Sequence, residues 1–123
     1  MLVDTNIIID HLRGEKQATA FLRKIEEGII KGYISTITEA EVLSGSKLTQ
    51  KKIEEILMLF EMFEKLEVNS AIAQKAGDFR RKYKCGIMDA IIAASADYKG
   101  IELVTRNIKH FKIISEIKLF NID

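Results

Sequence analysis

Apolar side chains recur along the chain with two spacings, and these mark out the elements. Met1 to Val3 is apolar, the trio Asp4-Thr5-Asn6 is polar, and an isoleucine run then leads into His11, a pattern that predicts strand, turn and short helix. From Glu15 to Lys31 the positions Ala18, Phe21, Leu22, Ile25 and Ile29 keep the period of a helix with one buried face, and Gly32 is placed to stop it. Tyr33 to Ile37 predicts a second strand, followed by a helix starting near Thr38. The next long helix starts near Thr49 with the stripe Ile53, Ile56, Leu57, Phe60 and Phe63, and strand-like Leu66-Glu67-Val68 precedes a cap at Asn69 or Ser70. Ile72, Ala76, Phe79 and Tyr83 line one side of a further helix, which Cys85-Gly86 interrupts. Met88 to Lys99 reads as an alanine-rich helix ending at Gly100, Ile101 to Thr105 as a strand, Asn107 as the start of a helical turn, and Ile113 to Ile122 as the place of a last strand. Strands alternating with helices imply an α/β fold, its parallel sheet covered on both faces.

Composition narrows this further. With 123 residues, 47% of them hydrophobic and 30% charged, the chain is expected to form one domain over residues 1–123, a compact soluble globule. Proline is absent and the seven glycines are scattered, so no stretch reads as a linker. The formal net charge is +1, so any nucleic-acid binding must use a local patch. Cys85 is the only cysteine, which excludes an internal disulfide framework. The first ten residues hold two acids where a secretory leader would be basic, and no apolar run approaches the ~18 residues of a membrane span. A cytoplasmic protein is expected.

Four short polar side chains fall where strands end: Asp4, Glu41, Asp89 and Asn107. Ligand sites of open α/β sheets form beyond the carboxyl ends of the strands, where three of these residues can meet, and Asp89 joins them if its helix points its first turn the same way. Each also has a purely structural reading. Thr38-x-x-Glu41 matches a capping box, Asp4 and Asn107 suit helix N-caps, and Asp89 suits the positive end of a helix dipole.

The strings around these positions carry more information. Asp4-Thr5-Asn6 after a short apolar start, Ile37-Thr38-Glu39-Ala40-Glu41-Val42-Leu43-Ser44-Gly45, Met88-Asp89-Ala90-Ile91-Ile92-Ala93-Ala94-Ser95-Ala96, and Leu103-Val104-Thr105-Arg106-Asn107-x-x-His110-Phe111 closely resemble the PIN-domain nucleases. Among these they look most like the VapC toxins of toxin–antitoxin pairs, in order, spacing and total length. The resemblance implies a PIN-like three-layer α/β/α fold with a central, mainly parallel sheet of four or five strands. It implies a metal-dependent endoribonuclease using Mg²⁺ or Mn²⁺, with metal-binding acids at Asp4, Glu41 and Asp89, and products bearing a 5′-phosphate and a 3′-hydroxyl. Where the family frequently has a fourth acid this chain has Asn107, one negative charge fewer. Thr5, Asn6 and Thr105 are implied as supporting groups. A small antitoxin and a second copy of the chain are the implied protein partners.

Clustered carboxylates make chemical sense for that task. Two of them ~4 Å apart repel by about 4 kcal/mol at an effective dielectric near 20, and a hard divalent cation offsets this while taking oxygen ligands. Glu41 either completes the ligand set or accepts the proton of an attacking water. Arg106 and Lys109 flank Asn107 and are the expected phosphate contacts. His11, His110 and Cys85 lack metal-ligand spacing and read as structural, and Met58, Met62 and the neighbouring phenylalanines read as core. Met58, Leu59 and Met62 also lie beyond a single helix face, where they are available to a dimer contact. Three rival readings remain on architecture alone. A receiver domain wants paired acids after strand one, a haloacid-dehalogenase-like phosphatase wants a second aspartate where Asn6 stands, and a non-catalytic module would use the acids only to bind a metal or partner.

Overall fold

The computed structural model describes residues 1–123. Five short strands form one sheet: β1 (Leu2–Val3), β2 (Tyr33–Ser35), β3 (Glu64–Leu66), β4 (Leu103–Val104) and β5 (Leu119–Phe120). Their order is β3-β2-β1-β4-β5 and every pairing is parallel, with Leu2 opposite both Tyr33 and Leu103. Seven helices connect them: α1 (Thr5–Leu12), α2 (Lys16–Glu26), α3 (Thr36–Leu43), α4 (Gln50–Phe60), α5 (Ser70–Tyr83), α6 (Ile87–Lys99) and α7 (Ile108–Phe111).

Successive residues of a strand point to opposite faces, and the two cores follow that alternation. Val3, Ile34 and Val104 face a cluster with Ile7 and Ile8 of α1, Phe21, Leu22 and Ile25 of α2, and Ile56 and Phe60 of α4. Leu2 and Leu103 face the other, with Ile72 and Phe79 of α5, the alanines of α6 and Phe111. The three-layer α/β/α expectation holds, with five strands. Ala90, Ala93, Ala94 and Ala96 are fully buried, and these small side chains let α6 lie close against the sheet and α5.

Several element boundaries differ from the sequence reading. Helix α2 stops at Glu26, because Gly28 adopts φ +78°, a left-handed conformation that glycine accepts at least cost. Ile29 is consequently outside the helix and exposed. Gly32 has a packing role instead: a Cβ there would sit 2.8 Å from Ile25 and 3.0 Å from Phe63. Strand β3 lies two residues earlier than expected, since Phe63 is buried beneath it and its register sets Ser35 opposite Leu66. The region expected to hold the last strand contributes only Leu119–Phe120, because Phe111 and Ile114 turn inward before it. On α4, Ile56 and Phe60 are buried, but Leu57 and Met58 face solvent at 47% and 72% exposure, so Met58 is not core.

The N-cap of α5 is Asn69, whose side chain accepts from the backbone N–H of Ile72 at 2.9 Å. Asn69→Ala is expected to cost about 1 kcal/mol of unfolding free energy, read as a lower urea midpoint with an unchanged slope.

Candidate active site

Asp4 follows β1 and caps α1, its Oδ1 accepting from the Thr5 backbone N–H at 2.8 Å. Its Oδ2 accepts from the hydroxyl of Thr105 at 2.7 Å, across the junction between β1 and β4. The residue is only 7% exposed. Burial pushes its carboxyl up to about 6, the nearby negative charges of Asp89 and Glu41 push the same way, and the hydrogen bonds from Thr105 and Thr5 pull it partly back.

Glu41 reaches the same place from α3. The expected capping box does not form. Helix α3 starts at Thr36 with Ser35 as its cap, which accepts from the Ile37 backbone N–H at 3.1 Å and leaves Thr38 buried within the helix. Thr5 Oγ1 lies 2.8 Å from Glu41 Oε1 and 3.0 Å from Thr38 Oγ1. A hydroxyl carries one proton and a carboxylate only accepts, so Thr5 donates to Glu41 and accepts from Thr38. Glu41 Oε2 has no hydrogen bond within the protein. Thr5→Val, which breaks this relay and orphans the Thr38 hydroxyl, is expected to slow the RNA cleavage that the family resemblance implies by about 10–100-fold, with Thr5→Ser restoring it.

Asp89 sits in the first turn of α6, whose cap is Gly86. It does face the crevice. Asp4, Thr5, Asn6, Glu41, Met88, Asp89 and Asn107 all line one open cavity of about 200 Å³. Asn107 caps α7 without a side-chain hydrogen bond to that helix, and its backbone N–H donates to Thr105 Oγ1 at 2.9 Å. Asn6 brackets the same loop: its Nδ2 donates to Thr105 Oγ1 and its Oδ1 accepts from the Arg106 backbone N–H, both at 3.4 Å. Thr105 thus ties Asp4, Asn6 and the Asn107 loop together.

The two cations flanking Asn107 have different fates. Arg106 is turned away from the crevice. Its guanidinium bonds Glu15 and lies 3.8 Å from Asp10 and 3.6 Å from Asp123, so its charge is spent on fastening α1, α2 and the last residue. Lys109 is exposed and forms no ion pair. His11 is structural, its Nδ1 2.8 Å from Thr19 Oγ1. His110 is not remote: its Nδ1 lies 3.4 Å from Asp89 Oδ2. Sequence reasoning missed this contact, and the only signal for it was that His110 follows Asn107 by one helical turn.

A hard cation suits this donor set. No three His, Cys, Asp or Glu side chains close into a ready-made cage. Mg²⁺ asks for less, since it takes one or two carboxylates and fills its octahedron with water and substrate phosphate. Asp4 supplies a nearly buried carboxyl whose charge no basic group in the crevice balances, which is what a bound cation would relieve.

Comparisons with known proteins agree with this geometry. A PIN domain family model matches residues 1–116. Ribonuclease VapC10 of Mycobacterium tuberculosis is 32% identical over 96% of this chain and 90% of its own length. A toxin–antitoxin complex from Klebsiella pneumoniae contains a chain that superposes with a TM-score of 0.82 at 32% identity, covering 99% of this chain and 97% of that one. A VapBC2 complex from Rickettsia felis, solved on a DNA fragment from its promoter, shares the fold at a TM-score of 0.84 and 24% identity, covering 99% of this chain and 98% of that one. With its four polar positions in one crevice and this likeness along nearly its whole length, the chain belongs to the PIN-domain family and, within it, to the VapC ribonucleases.

Proposed function

We propose that this protein is an endoribonuclease that hydrolyses RNA phosphodiester bonds with Mg²⁺ or Mn²⁺, and that it is the toxin of a toxin–antitoxin pair. The observation that carries the proposal is the convergence of Asp4, Glu41 and Asp89, from three separate elements, on one open crevice beyond the strand ends. VapC10 is a ribonuclease by name, and the Klebsiella chain was solved in a toxin–antitoxin complex.

Asp4 and Asp89 are the assigned metal ligands, and Asn107 offers a carbonyl oxygen beside them. Bound there, the cation supplies Lewis-acid polarisation of the phosphate and a water acidic enough to attack near neutral pH. Glu41 has a free Oε2 and a first oxygen fixed by Thr5, which suits it to take the proton of the attacking water, or to complete the ligand set. Thr105 holds Asp4 in place. No side-chain nucleophile is needed.

The partners on this reading are RNA, a small antitoxin and a second copy of the chain. The exposed Leu57 and Met58 of α4 offer apolar area for such protein contacts. No helix is long and apolar enough to cross a membrane. The direct test incubates the purified protein with cellular RNA in Mg²⁺, in Mn²⁺ and in EDTA, then sequences the new ends. Metal-dependent cuts bearing 5′-phosphates are expected, and equal cutting in EDTA overturns the metal assignment.

A further inference from the structure

The catalytic crevice is lined by Asp4, Glu41 and Asp89 and by no cation. RNA brings more negative charge to it, so basic groups must lie close by if the chain is to hold a polyanion while carrying a net charge of only +1. Many of the basic side chains are already paired. Lys31, Lys52, Lys65, Lys75, Lys82, Arg81 and Arg106 all face acids.

A second hollow of about 430 Å³ adjoins the first and shares Asp89 with it. Lys84 and Lys109 line it, with Cys85, Gly86, His110 and Ile113. Neither lysine forms an ion pair, and both are exposed. Ile113 offers an apolar wall at 49% exposure, and no side chain fills the space beside Gly86.

Lys84 has a further peculiarity. It ends α5 at φ +56°, ψ +33°, and it is the only non-glycine residue of the chain with positive φ. That left-handed position at a helix end is the one glycine usually fills, because a side chain there is strained. A lysine at this position spends stability to carry a charge to the rim of the hollow, and such outliers gather at functional sites.

We propose that this hollow is the subsite for the nucleotide next to the cleaved bond, with Lys84 and Lys109 holding its phosphate and Ile113 packing against its base. This rests on the ribonuclease reading above. The hollow sets one apolar wall, Ile113, beside two lysines, which suits an unpaired nucleotide with its base free to pack more than a duplex. His110, at the border of the two hollows and against Asp89, marks the junction between subsite and metal crevice.

The test measures binding of a short fluorescein-labelled single-stranded RNA of random sequence by anisotropy across a salt series. Lys84→Gly, Lys109→Gln and, as a control, Lys118→Gln at the opposite end of the sheet are compared with the parent chain. Lys84→Gly and Lys109→Gln are expected to weaken binding about tenfold each and to lower the slope of log K against log salt by about 0.7 per lysine, whereas Lys118→Gln changes neither. Lys84→Gly is also expected to melt at or above the parent temperature, because it removes a strained residue, so lost binding cannot be put down to misfolding. Unchanged affinity and salt slope in both lysine variants, with parental RNA cleavage intact, overturn the subsite alone. Absence of RNA cleavage by the parent chain in Mg²⁺ and Mn²⁺ overturns the ribonuclease reading and the subsite with it.

Discussion

Asp89→Asn and Asp4→Asn are each expected to lower single-turnover RNA cleavage by about 10³-fold or more in Mg²⁺. Metal-assisted charge stabilisation is worth several kcal/mol at the transition state, and each 1.36 kcal/mol is a factor of ten in rate. The substitutions remove one negative charge and keep the shape. Asp89 has no hydrogen bond to the fold to lose beyond its contact with His110, so Asp89→Asn should fold normally. A second readout isolates the metal. Mn²⁺ is expected to raise the melting midpoint of the parent chain, and Asp89→Asn should lose most of that gain. An equal gain in both chains, or cleavage within a few-fold of parental in Asp89→Asn, would falsify the assignment of Asp89 as a ligand.

The second large effect concerns stability and pH in metal-free buffer. Burial and its acidic neighbours raise the Asp4 carboxyl from its ordinary 3.8 to about 6 in the folded chain. Between those two values the folded state binds the proton more readily than the unfolded state does, so the favourable term is complete below about pH 4 and is lost as pH rises through about 6. Two units correspond to about 3 kcal/mol. Asp4→Asn has no such titration, so its stability relative to the parent should improve by about 3 kcal/mol between pH ~4 and neutral pH. At acid pH, where Asp4 is protonated, the substitution carries a small penalty, because the amide NH2 cannot accept and must face either the Thr5 N–H or the Thr105 hydroxyl. Urea melts of both chains in EDTA across this range give the comparison. A constant difference between them would mean that Asp4 is not destabilised by its surroundings. Parental stability at neutral pH should recover on adding Mg²⁺.

The same residue explains why the chain's activity and its stability pull apart. A carboxylate nearly buried beside two others is an unfavourable arrangement for the fold alone, and the proposed cation gives the site a reason to keep it.

Much of this was legible in the sequence because the relevant signals are local. The alternation in Leu2-Val3 and Leu103-Val104 splits the core between two faces, and Asp4 and Asn107, placed just past β1 and β4, fall at the crevice. Asp89 was placed by family likeness more than by periodicity, since the direction of α6 is set by alanine packing against the sheet. The Thr38 and Glu41 pair shows the opposite case. The spacing of a capping box is present, yet Ser35 caps first, and the Thr5 hydroxyl captures Glu41 from a helix 36 positions away in the chain. Arg106 was misjudged for a similar reason: Asp10, Glu15 and Asp123 surround it only after the chain has folded. Contacts of that kind depend on how helices dock, which no short window of sequence records.

The central place of β1 has a consequence for how the protein is born. One neighbour, β2, is made early, but the other, β4, arrives late, and Asp4 waits for Thr105 across 101 positions. Such distant pairing is slow to close and leaves the early part of a growing polypeptide without its final supports. A ribosome that stalls before the fourth strand therefore holds an Asp4 without its Thr105 partner, and the crevice is assembled only after that strand has been made.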